Sequence, residues 1–503
     1  MPTQIFSVSN ATGGLNLRAS ERSLLPNEAL DLMNVELTKN GGVLKSNGYI
    51  RINTAPISGS PKITGMFYYV KANGAKYTLV TAGTGLYLLG NDGSLTQVYS
   101  SLANGIPCFF ATFNDVCIIV NGVNHPLVYD GTTVTNLPNW TTIETTGYPS
   151  LVEVWKNRLW LSGNPEKPYR LYWSEPGNHG GWTTAGGAGS VDVNRNDGQK
   201  ITGIKTYFDS LAIYKERSIH QLIGDAPPGT GGPNEFRLRP ISTDIGCVAP
   251  KTIINVGNDQ YFLAEDQVAS LKTTNAFGDV NTQNISYKIQ PILTRINRSF
   301  VKDAFILHQR SKDQIWLFYP DGVSDRNNKV VIYDYGLGAW TQRNGLTASD
   351  GVVIDSKPYT GTYDGNIHQQ DFGGNYNGSP IVAFYKTPWY GFGDYARTKR
   401  IRSVDMTVLQ YGNWNLQVQT AFDYQSYSSS FNVNLAPTGQ SALWGIALWN
   451  QASWSNVTAR QSRKVSDIGM GKVFQVHISN SGANQPFHVL GWDVAYQFRG
   501  LRP

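Results

Sequence analysis

The chain has 503 residues, of which 16% are charged and 12% aromatic, and it contains 52 glycines. The charged fraction is well below the roughly 25% of an average soluble protein, and glycine is enriched, which indicates many short strands and tight turns. The formal net charge of +6 is spread along the chain, and "RTKRIR" (397–402) is its one basic cluster. We therefore do not expect a helix that grips DNA.

The three cysteines, Cys108, Cys117 and Cys247, are odd in number and sparse. They cannot form a disulfide framework, which favours a reducing compartment. The first residues, "MPTQIFSVSNATGG", lack the basic and apolar regions of a secretory signal. No stretch approaches about 18 continuous apolar residues, so no membrane span is expected.

Residues 1–52 are predicted to form an N-terminal extension. The segment "SLLPNEALDLMNVEL" (23–37) has a helical pattern that places Leu30, Met33 and Leu37 on one face, and Pro26 suits the first turn of a helix. The following "GGVLKSNGYI" (41–50) predicts a strand. Whether this strand closes the next domain by pairing with its last unit is left open by the sequence.

A polar turn residue followed by a short apolar run recurs through the middle of the chain. Such runs, β-branched or aromatic and four to six residues long, are typical of strands, and Asp or Asn before them favours a turn. Successive turn residues lie 42, 52, 50 and 54 positions apart: Asp115, Asn157, Asp209, Asp259 and Asp313. This period is that of β-propeller blades, so residues 53–375 are predicted to form an irregular β-propeller of six or seven blades. The alternative is a pair of unrelated β domains.

The period is lost after residue 375. Alternating segments such as "RSVDMTVLQ" (402–410) and "VFQVHIS" (473–479) predict a C-terminal β-sandwich over 376–503. The predicted fold class is therefore all-β, a propeller followed by a sandwich.

Two groups within the sandwich are candidates for subunit contacts. Trp444, Trp449 and Trp454 recur at a spacing of five, which suits neither a helix face nor one face of a strand. We interpret them as a loop that packs on its own sheet or on another subunit; the alternative is a platform for sugar stacking. Arg400 and Arg402 belong to a strand that is solvated or bridges subunits, with a phosphate site as the alternative.

Residues 192–198, "DVNRNDG", place oxygen ligands at alternate positions, Asp192, Asn194 and Asn196, as calcium loops do. The glycine comes one position late and Gly203 stands where a glutamate is needed, so a plain turn is favoured. No metal or cofactor is predicted. The sequence contains no catalytic motif, and it cannot select the pair of carboxylates that a glycosidase requires. We therefore predict that the chain is not an enzyme.

Three stretches of the chain resemble the tail nozzle proteins of short-tailed bacteriophages, also called tail tubular or packaged-DNA stabilisation proteins. They are "GGLNLRASERSLLPNEALDLMNVELTKNGGVLKSNGY" near the start, "KITGIKTYFDSLAIYKERSIHQLIG" in the middle, and "ALWGIALWNQASW" with "VFQVHISNSGANQPFHVLGWDVAYQFRGLRP" at the end. The similarity extends over nearly the whole length.

The resemblance implies a ring of six copies beneath the portal and adaptor proteins of a virion, assembled in the host cytoplasm. It also implies that the ring holds tail fibres or spikes, and that its lumen retains packaged double-stranded DNA and conducts it during ejection. The low charge of the chain is compatible with DNA sliding, because each cationic side chain that neutralises a phosphate strengthens binding to the DNA. Two alternatives stay open: a carbohydrate-binding propeller of a phage tail or cell surface, and a glycan-modifying enzyme.

Overall fold

A computed structural model describes residues 2–229, 234–273, 280–436 and 460–499. These residues form 41 strands and a few one-turn helices, so the predicted all-β fold class is confirmed. The helical turns of the described residues are α1 (Trp140–Ile143), α2 (Gln290–Leu293) and the 3₁₀ turns Arg195–Asp197, Pro250–Thr252, Tyr287–Ile289, Val301–Asp303 and Arg310–Lys312.

The N-terminal segment forms seven short strands: β1 (Gln4–Val8), β2 (Gly14–Leu15), β3 (Glu28–Ala29), β4 (Asp31–Met33), β5 (Val35–Leu37), β6 (Val43–Lys45) and β7 (Tyr49–Arg51). The helix predicted for 23–37 is therefore wrong. Asn34 has a left-handed backbone with a φ of 53°, which interrupts any helix there. Leu32 and Val35 are fully buried, because strands β4 and β5 each join a different sheet of the C-terminal domain, and this tertiary pairing overrides a weak local preference.

Seven four-stranded antiparallel sheets, within the described residues, form the propeller. Blade 1 contains β8 (Ile63–Val70), β9 (Lys76–Ala82), β10 (Gly85–Leu89) and β11 (Leu95–Tyr99), and blade 2 contains β12 (Phe109–Phe113), β13 (Val116–Val120), β14 (Leu127–Tyr129) and β15 (Val134–Asn136). Blade 3 contains β16 (Leu151–Trp155), β17 (Arg158–Asn164), β18 (Lys167–Trp173) and β19 (Gly189–Asp192). Blade 4 contains β20 (Ile201–Tyr207), β21 (Ser210–Lys215), β22 (Ile219–Ile223) and β23 (Arg237–Ser242).

Blade 5 contains β24 (Ile254–Val256), β25 (Asp259–Leu263), β26 (Val268–Thr273) and β27 (Val280–Asn284). Blade 6 contains β28 (Phe305–Gln309), β29 (Gln314–Tyr319), β30 (Lys329–Asp334) and β31 (Ala339–Arg343). Blade 7 contains β32 (Asp350–Ile354), β33 (Lys357–Gly361) and β34 (Ile367–Gln370), together with β7. The first strand of each blade lies nearest the axis, and β32 of blade 7 packs against β8 of blade 1. The ring of blades is thus closed, which buries both faces of each small sheet.

The fourth strand of blade 7 comes from the N-terminal segment. Strand β7 pairs antiparallel with β34, with Tyr49 opposite Gln370 and Arg51 opposite His368. The ring of Tyr49 stacks on that of His368 with 4.4 Å between centroids. The question that the sequence left open is thereby answered: "GGVLKSNGYI" supplies the closing strand.

Three of the five predicted turn residues take the left-handed position in the hairpin between the first two strands of a blade, whereas Asp259 begins strand β25 and Gly257 (φ 59°) makes the turn of blade 5. Asp115, Asn157 and Asp313 have left-handed backbones, with φ of 60°, 54° and 57°, which asparagine and aspartate tolerate better than most residues. Blade 4 differs, because Phe208 takes the left-handed position (φ 49°) immediately before Asp209.

The C-terminal sandwich contains β35 (Ala383–Lys386), β36 (Lys399–Leu409), β37 (Asn415–Phe422), β38 (Ser429–Asn434), β39 (Arg460–Gly471), β40 (Phe474–Asn480) and β41 (His488–Phe498). One sheet has the order β39-β36-β41-β6-β5, with β1 also paired to β41, and the other has the order β38-β37-β40-β35-β4. The N-terminal segment therefore completes the sandwich as well as the propeller. The sandwich packs on β31, the outer strand of blade 6, and one hydrophobic core runs through both.

Candidate functional site

The central channel of the propeller is crossed by the side chain of Lys251. This lysine lies on the turn before blade 5, and its Nζ donates to the Thr64 carbonyl of blade 1 at 2.9 Å and to Asp350 Oδ2 of blade 7 at 2.8 Å. The amide nitrogen of Met66 also donates to Asp350 Oδ2, at 2.8 Å. Blades on opposite sides of the ring are thus tied together, and the tie obstructs the channel.

A buried cluster of charges joins the propeller to the sandwich. Glu36 of β5 accepts from Lys312 Nζ at 2.9 Å and is paired with Arg343 of β31. Lys312 also contacts Asp371 at 2.7 Å, and the Arg343 guanidinium stacks 4.4 Å from the centroid of Trp316. Burial by itself would raise the pKa of Asp371, but Arg343 and Lys312 hold it below its ordinary value.

The cluster fixes the relative position of the two domains. Arg343 is 1% exposed, and a buried charge of this kind is tolerated only when its partners are in place. Beside it, Asn34 Nδ2 donates to Asn344 Oδ1 at 2.6 Å and to the Val382 carbonyl at 2.8 Å. Buried polar contacts therefore span the joint between propeller and sandwich, beside the hydrophobic core that the two domains share.

Of the predicted interface residues, Arg400 and Arg402 lie on β36, between the edge strand β39 and β41 in the six-stranded sheet. Both are half-buried and face outward, whereas Ile401 is buried in the sandwich core. Arg402 donates to Gln497 Oε1 from Nε at 3.2 Å and from Nη2 at 2.9 Å. In the described part of the chain neither arginine forms an ion pair, so both remain available to a carboxylate on another molecule.

Exposed apolar side chains accompany the two arginines on this outer face. Met470 of β39 lies opposite Arg400 in the sheet and is 58% exposed. Ile5 of β1 lies opposite Ala495 and is 69% exposed. We call the outer face defined by Arg400, Arg402, Ile5 and Met470 the basic sheet face. The other predicted interface residues, Trp444, Trp449 and Trp454, lie outside the described residues.

The candidate calcium ligands are not brought together. Asp192 binds Arg170, with 2.6 Å between Oδ1 and Nε, and Asn194 and Asn196 are exposed. The turn is instead organised by buried Lys215, whose Nζ donates to the Asn194 carbonyl at 3.0 Å and to Asp197 Oδ2 at 2.7 Å. Within 2–229, 234–273, 280–436 and 460–499, no group of three or more His, Cys, Asp or Glu side chains is arranged to hold a metal ion.

The sequence analysis did not identify the charged side chains that form ion pairs inside the structure. Lys251 and Asp350 are 99 residues apart, and Arg343 and Glu36 are 307 apart. No motif connects such partners, because Lys251 and Asp350 meet only when the ring of blades closes, and Arg343 and Glu36 meet only when the sandwich packs on blade 6. A single signal was present: a lysine or arginine within an otherwise apolar strand, as in "SLAIYK" for Lys215, is rarely buried unless it is paired.

None of the helices in the described part of the chain has the length and hydrophobicity needed to cross a bilayer. No protein-family model and no curated protein matches the chain.

Solved structures that resemble the chain include a streptogramin B lyase, with 12% identity, a TM-score of 0.41 and coverage of 64% of this chain and 97% of that one. YCF48 bound to D1 peptide has 9% identity, a TM-score of 0.41 and coverage of 67% and 97%. A catalytically inactive virginiamycin B lyase from Staphylococcus aureus has 14% identity, a TM-score of 0.34 and coverage of 63% and 96%. At such identities the likeness concerns the fold alone.

Proposed function

We propose that the chain is a structural subunit of a tail nozzle, six copies of which form a ring that extends the tail tube of a short-tailed bacteriophage. The ring retains packaged DNA, conducts it during ejection, contacts the adaptor and portal proteins, and carries fibres or spikes. The proposal starts from the resemblance of three stretches of the sequence to that family.

The observation that carries the proposal is the buried, ion-paired joint between propeller and sandwich. A closed ring requires each subunit to present two different surfaces at a fixed angle, because heterologous contacts close only at the correct rotation. The charge cluster of Glu36, Lys312, Arg343 and Asp371 fixes that angle within one subunit. A pair of domains on a flexible linker would not meet this requirement.

The path of the DNA within the proposed ring is assigned by us to the lumen between subunits, and the side chain that crosses the propeller channel supports this choice. Lys251 and Asp350 occupy the axis of the propeller, so double-stranded DNA passes through the lumen that the six copies enclose. The channel of each propeller takes no part in conduction and serves as a structural core.

The basic sheet face is the surface that we assign to contact between neighbouring subunits. Arginine is enriched at interfaces, where its guanidinium pairs with carboxylates, and Arg400 and Arg402 are free of ion pairs within the described residues. The exposed side chains of Ile5 and Met470 add apolar area to the same face.

Assembly with a portal–adaptor complex tests the proposal. The wild-type protein should add to the complex as a six-fold ring visible by electron microscopy. Arg400→Glu/Arg402→Glu should fold normally by circular dichroism but fail to form the ring, because both cations of the interface are reversed. The control Arg239→Glu/Lys357→Glu makes the same change of charge at exposed positions of the propeller and should assemble.

Two outcomes would contradict different parts of the proposal, the nozzle role and the assignment of the subunit contact. A wild-type protein that never joins the complex argues against the nozzle role itself. Normal rings from Arg400→Glu/Arg402→Glu would overturn only the assignment of the basic sheet face to the subunit contact.

A further inference from the structure

A cavity of about 1060 Å³ opens on one face of the propeller, above the Lys251 tie. It lies where the innermost strands of several blades begin: Phe109, Leu151 and Ile201 are the first residues of β12, β16 and β20, and Pro250 and Val301 lie on the turns that precede blades 5 and 6. We call this cavity the funnel. Its volume is at the upper end of the range of about 300–1,000 Å³ for pockets that enclose ligands.

The walls of the funnel are cationic. Five basic residues line it, namely Arg195, Lys200, Arg217, Arg298 and Lys302, together with two acidic ones, Glu216 and Glu265, which gives a net charge of +3. The acidic residues are already engaged, since Glu216 lies 3.3 Å from Lys200 and Glu265 lies 3.6 Å from Arg217. Both pairs are exposed, so they are weak and exchangeable.

Three of the five cations, Arg195, Arg298 and Lys302, have no carboxylate partner within the described ranges, and the Arg195 guanidinium lies over the ring of Tyr169 instead. Arg298 and Lys302 are exposed, and within the described ranges neither forms an ion pair. Both lie on the connection between blades 5 and 6, which forms one wall of the funnel. A smaller depression, which shares Arg298 and Arg217 with the funnel, adds Asp244 and Asp266 to the two glutamates and has a net charge of −2, so the side of the funnel that faces Lys302 is the more cationic one. An anionic ligand is therefore drawn towards the wall of Arg298 and Lys302.

The floor of the funnel is apolar. The ring of Phe109 is half-buried at the start of β12, with Lys251 Nζ 5.4 Å from its centroid, and Pro250 and Val248 are also half-exposed to the cavity. A surface with an apolar floor and cationic walls suits a ligand that carries apolar groups and carboxylates along one chain.

We infer that the funnel binds an extended acidic segment of a partner protein, with apolar side chains of the segment against Phe109 and its carboxylates paired with Arg298 and Lys302. A peptide is favoured over a nucleic acid, because nucleic acids are bound through dense arrays of phosphate contacts and the funnel offers only three cations without a carboxylate partner, above an apolar floor. The inference does not rest on the nozzle proposal, since the site is complete within one subunit.

Fluorescence polarisation with labelled synthetic peptides tests this site on the full chain. A twelve-residue probe of alternating Glu and Leu should bind, whereas a Lys and Leu probe should not. An alternating Glu and Ser probe should bind more weakly, because it lacks apolar groups. Affinity for the Glu and Leu probe should fall as salt rises above about 0.1 M, where the screening length is about 10 Å.

Arg298→Glu/Lys302→Glu should weaken binding of the Glu and Leu probe by about tenfold or more, which corresponds to the loss of about 1.4 kcal/mol or more of binding free energy. Arg239→Glu/Lys357→Glu, with the same change of charge elsewhere on the propeller, should bind as the wild type does. Both variants lie at exposed positions and should melt at the wild-type temperature.

Three results would overturn the inference: equal affinity of the Glu and Leu and the Lys and Leu probes, unchanged affinity in Arg298→Glu/Lys302→Glu, or tighter binding of a twelve-nucleotide single-stranded DNA than of the acidic peptide. Ring assembly is measured separately, so a failure of this site and a failure of the nozzle proposal are distinguishable.

Discussion

Lys251 and Asp350 meet at the axis of the propeller, with 2.8 Å between Nζ and Oδ2, although they belong to different blades. Asp350 is 5% exposed, so its charge is compensated by the lysine and by the amide of Met66 rather than by water. Because Lys251 lies before blade 5 and Asp350 lies in blade 7, the pair connects two blades that are not neighbours in the ring.

Lys251→Met should destabilise the protein by about 3 kcal/mol, because it leaves a buried carboxylate without its cation. Guanidinium unfolding followed by tryptophan fluorescence measures the change. The control Lys39→Met removes an equally short but exposed pair with Asp313 and should cost less than about 0.5 kcal/mol. Equal effects of the two substitutions would show that the axial pair does not stabilise the ring.

Glu36→Gln should loosen the joint between the domains. Without the carboxylate, the charges of Lys312 and Arg343 are poorly compensated in a buried site, and the cost is about 3 kcal/mol. Calorimetry should then resolve two unfolding transitions where the wild type shows one. Glu21→Gln, at an exposed position of the N-terminal segment, should leave a single transition; a single transition in Glu36→Gln as well would mean that the cluster does not couple the domains.

The stability of the protein should decrease as the pH falls below about 6.5. Burial lowers the pKa of His308, His368 and His477 to about 4, so the unfolded chain binds protons at these positions before the folded one does. The stability is complete above the unfolded pKa of about 6.5 and is lost between that value and about 4. Thermal melting at about pH 7.5 and about pH 5 measures the difference.

His368→Gln isolates one contribution to this dependence. Its imidazole stacks on Tyr49 at the closing strand of the propeller, where Asp364 favours the proton and Arg51 opposes it. The variant should melt with a smaller difference between the two pH values. Aspartates whose pKa is raised by burial, such as Asp31, act in the opposite direction, but only at lower pH. An unchanged difference in His368→Gln would exclude this histidine as a source of the effect.

Asn157→Val should destabilise blade 3 by about 1–2 kcal/mol, because a β-branched residue is strained in the left-handed region. Asn157 has a φ of 54° and is exposed, so the substitution changes the backbone preference without removing core contacts. Asn157→Gly is the matched control and should be neutral or slightly stabilising, since glycine adopts this conformation freely. If both variants melt alike, the turn is not under backbone constraint.

The repeated turns could be found from the sequence because their signal is local. Asp115, Asn157 and Asp313 each stand between two apolar runs, and side chain and backbone of the same residue determine the turn. Repetition of this signal at blade-sized intervals then predicts a propeller, since small sheets of this kind are stable only when they are stacked. The outward position of Arg400 and Arg402 follows in the same way from strand alternation.

The misread helix shows where local signals fail. Between Leu30 and Leu37 the pattern suits a helix, but Asn34 is left-handed, and the strands on either side of it belong to two different sheets of the sandwich. Strand β4 pairs with β35, about 350 residues away, and β5 pairs with β6, which itself pairs with the distant β41. The helical preference of a short segment is too weak to oppose these pairings.

The sequence by itself determined the all-β class, the blade period and the turns, because these depend on neighbouring residues. The tertiary structure alone decided that Lys251 crosses the ring to Asp350, that Glu36 binds Lys312 and Arg343, and that the funnel is lined by cations from blade 4 and from the connections between blades 3 and 4 and between blades 5 and 6. The physical reason is that an ion pair between distant residues has no signal in the sequence around either one. Its free energy depends on the distance between the two charged groups and on their burial, and both are determined only when the chain has folded.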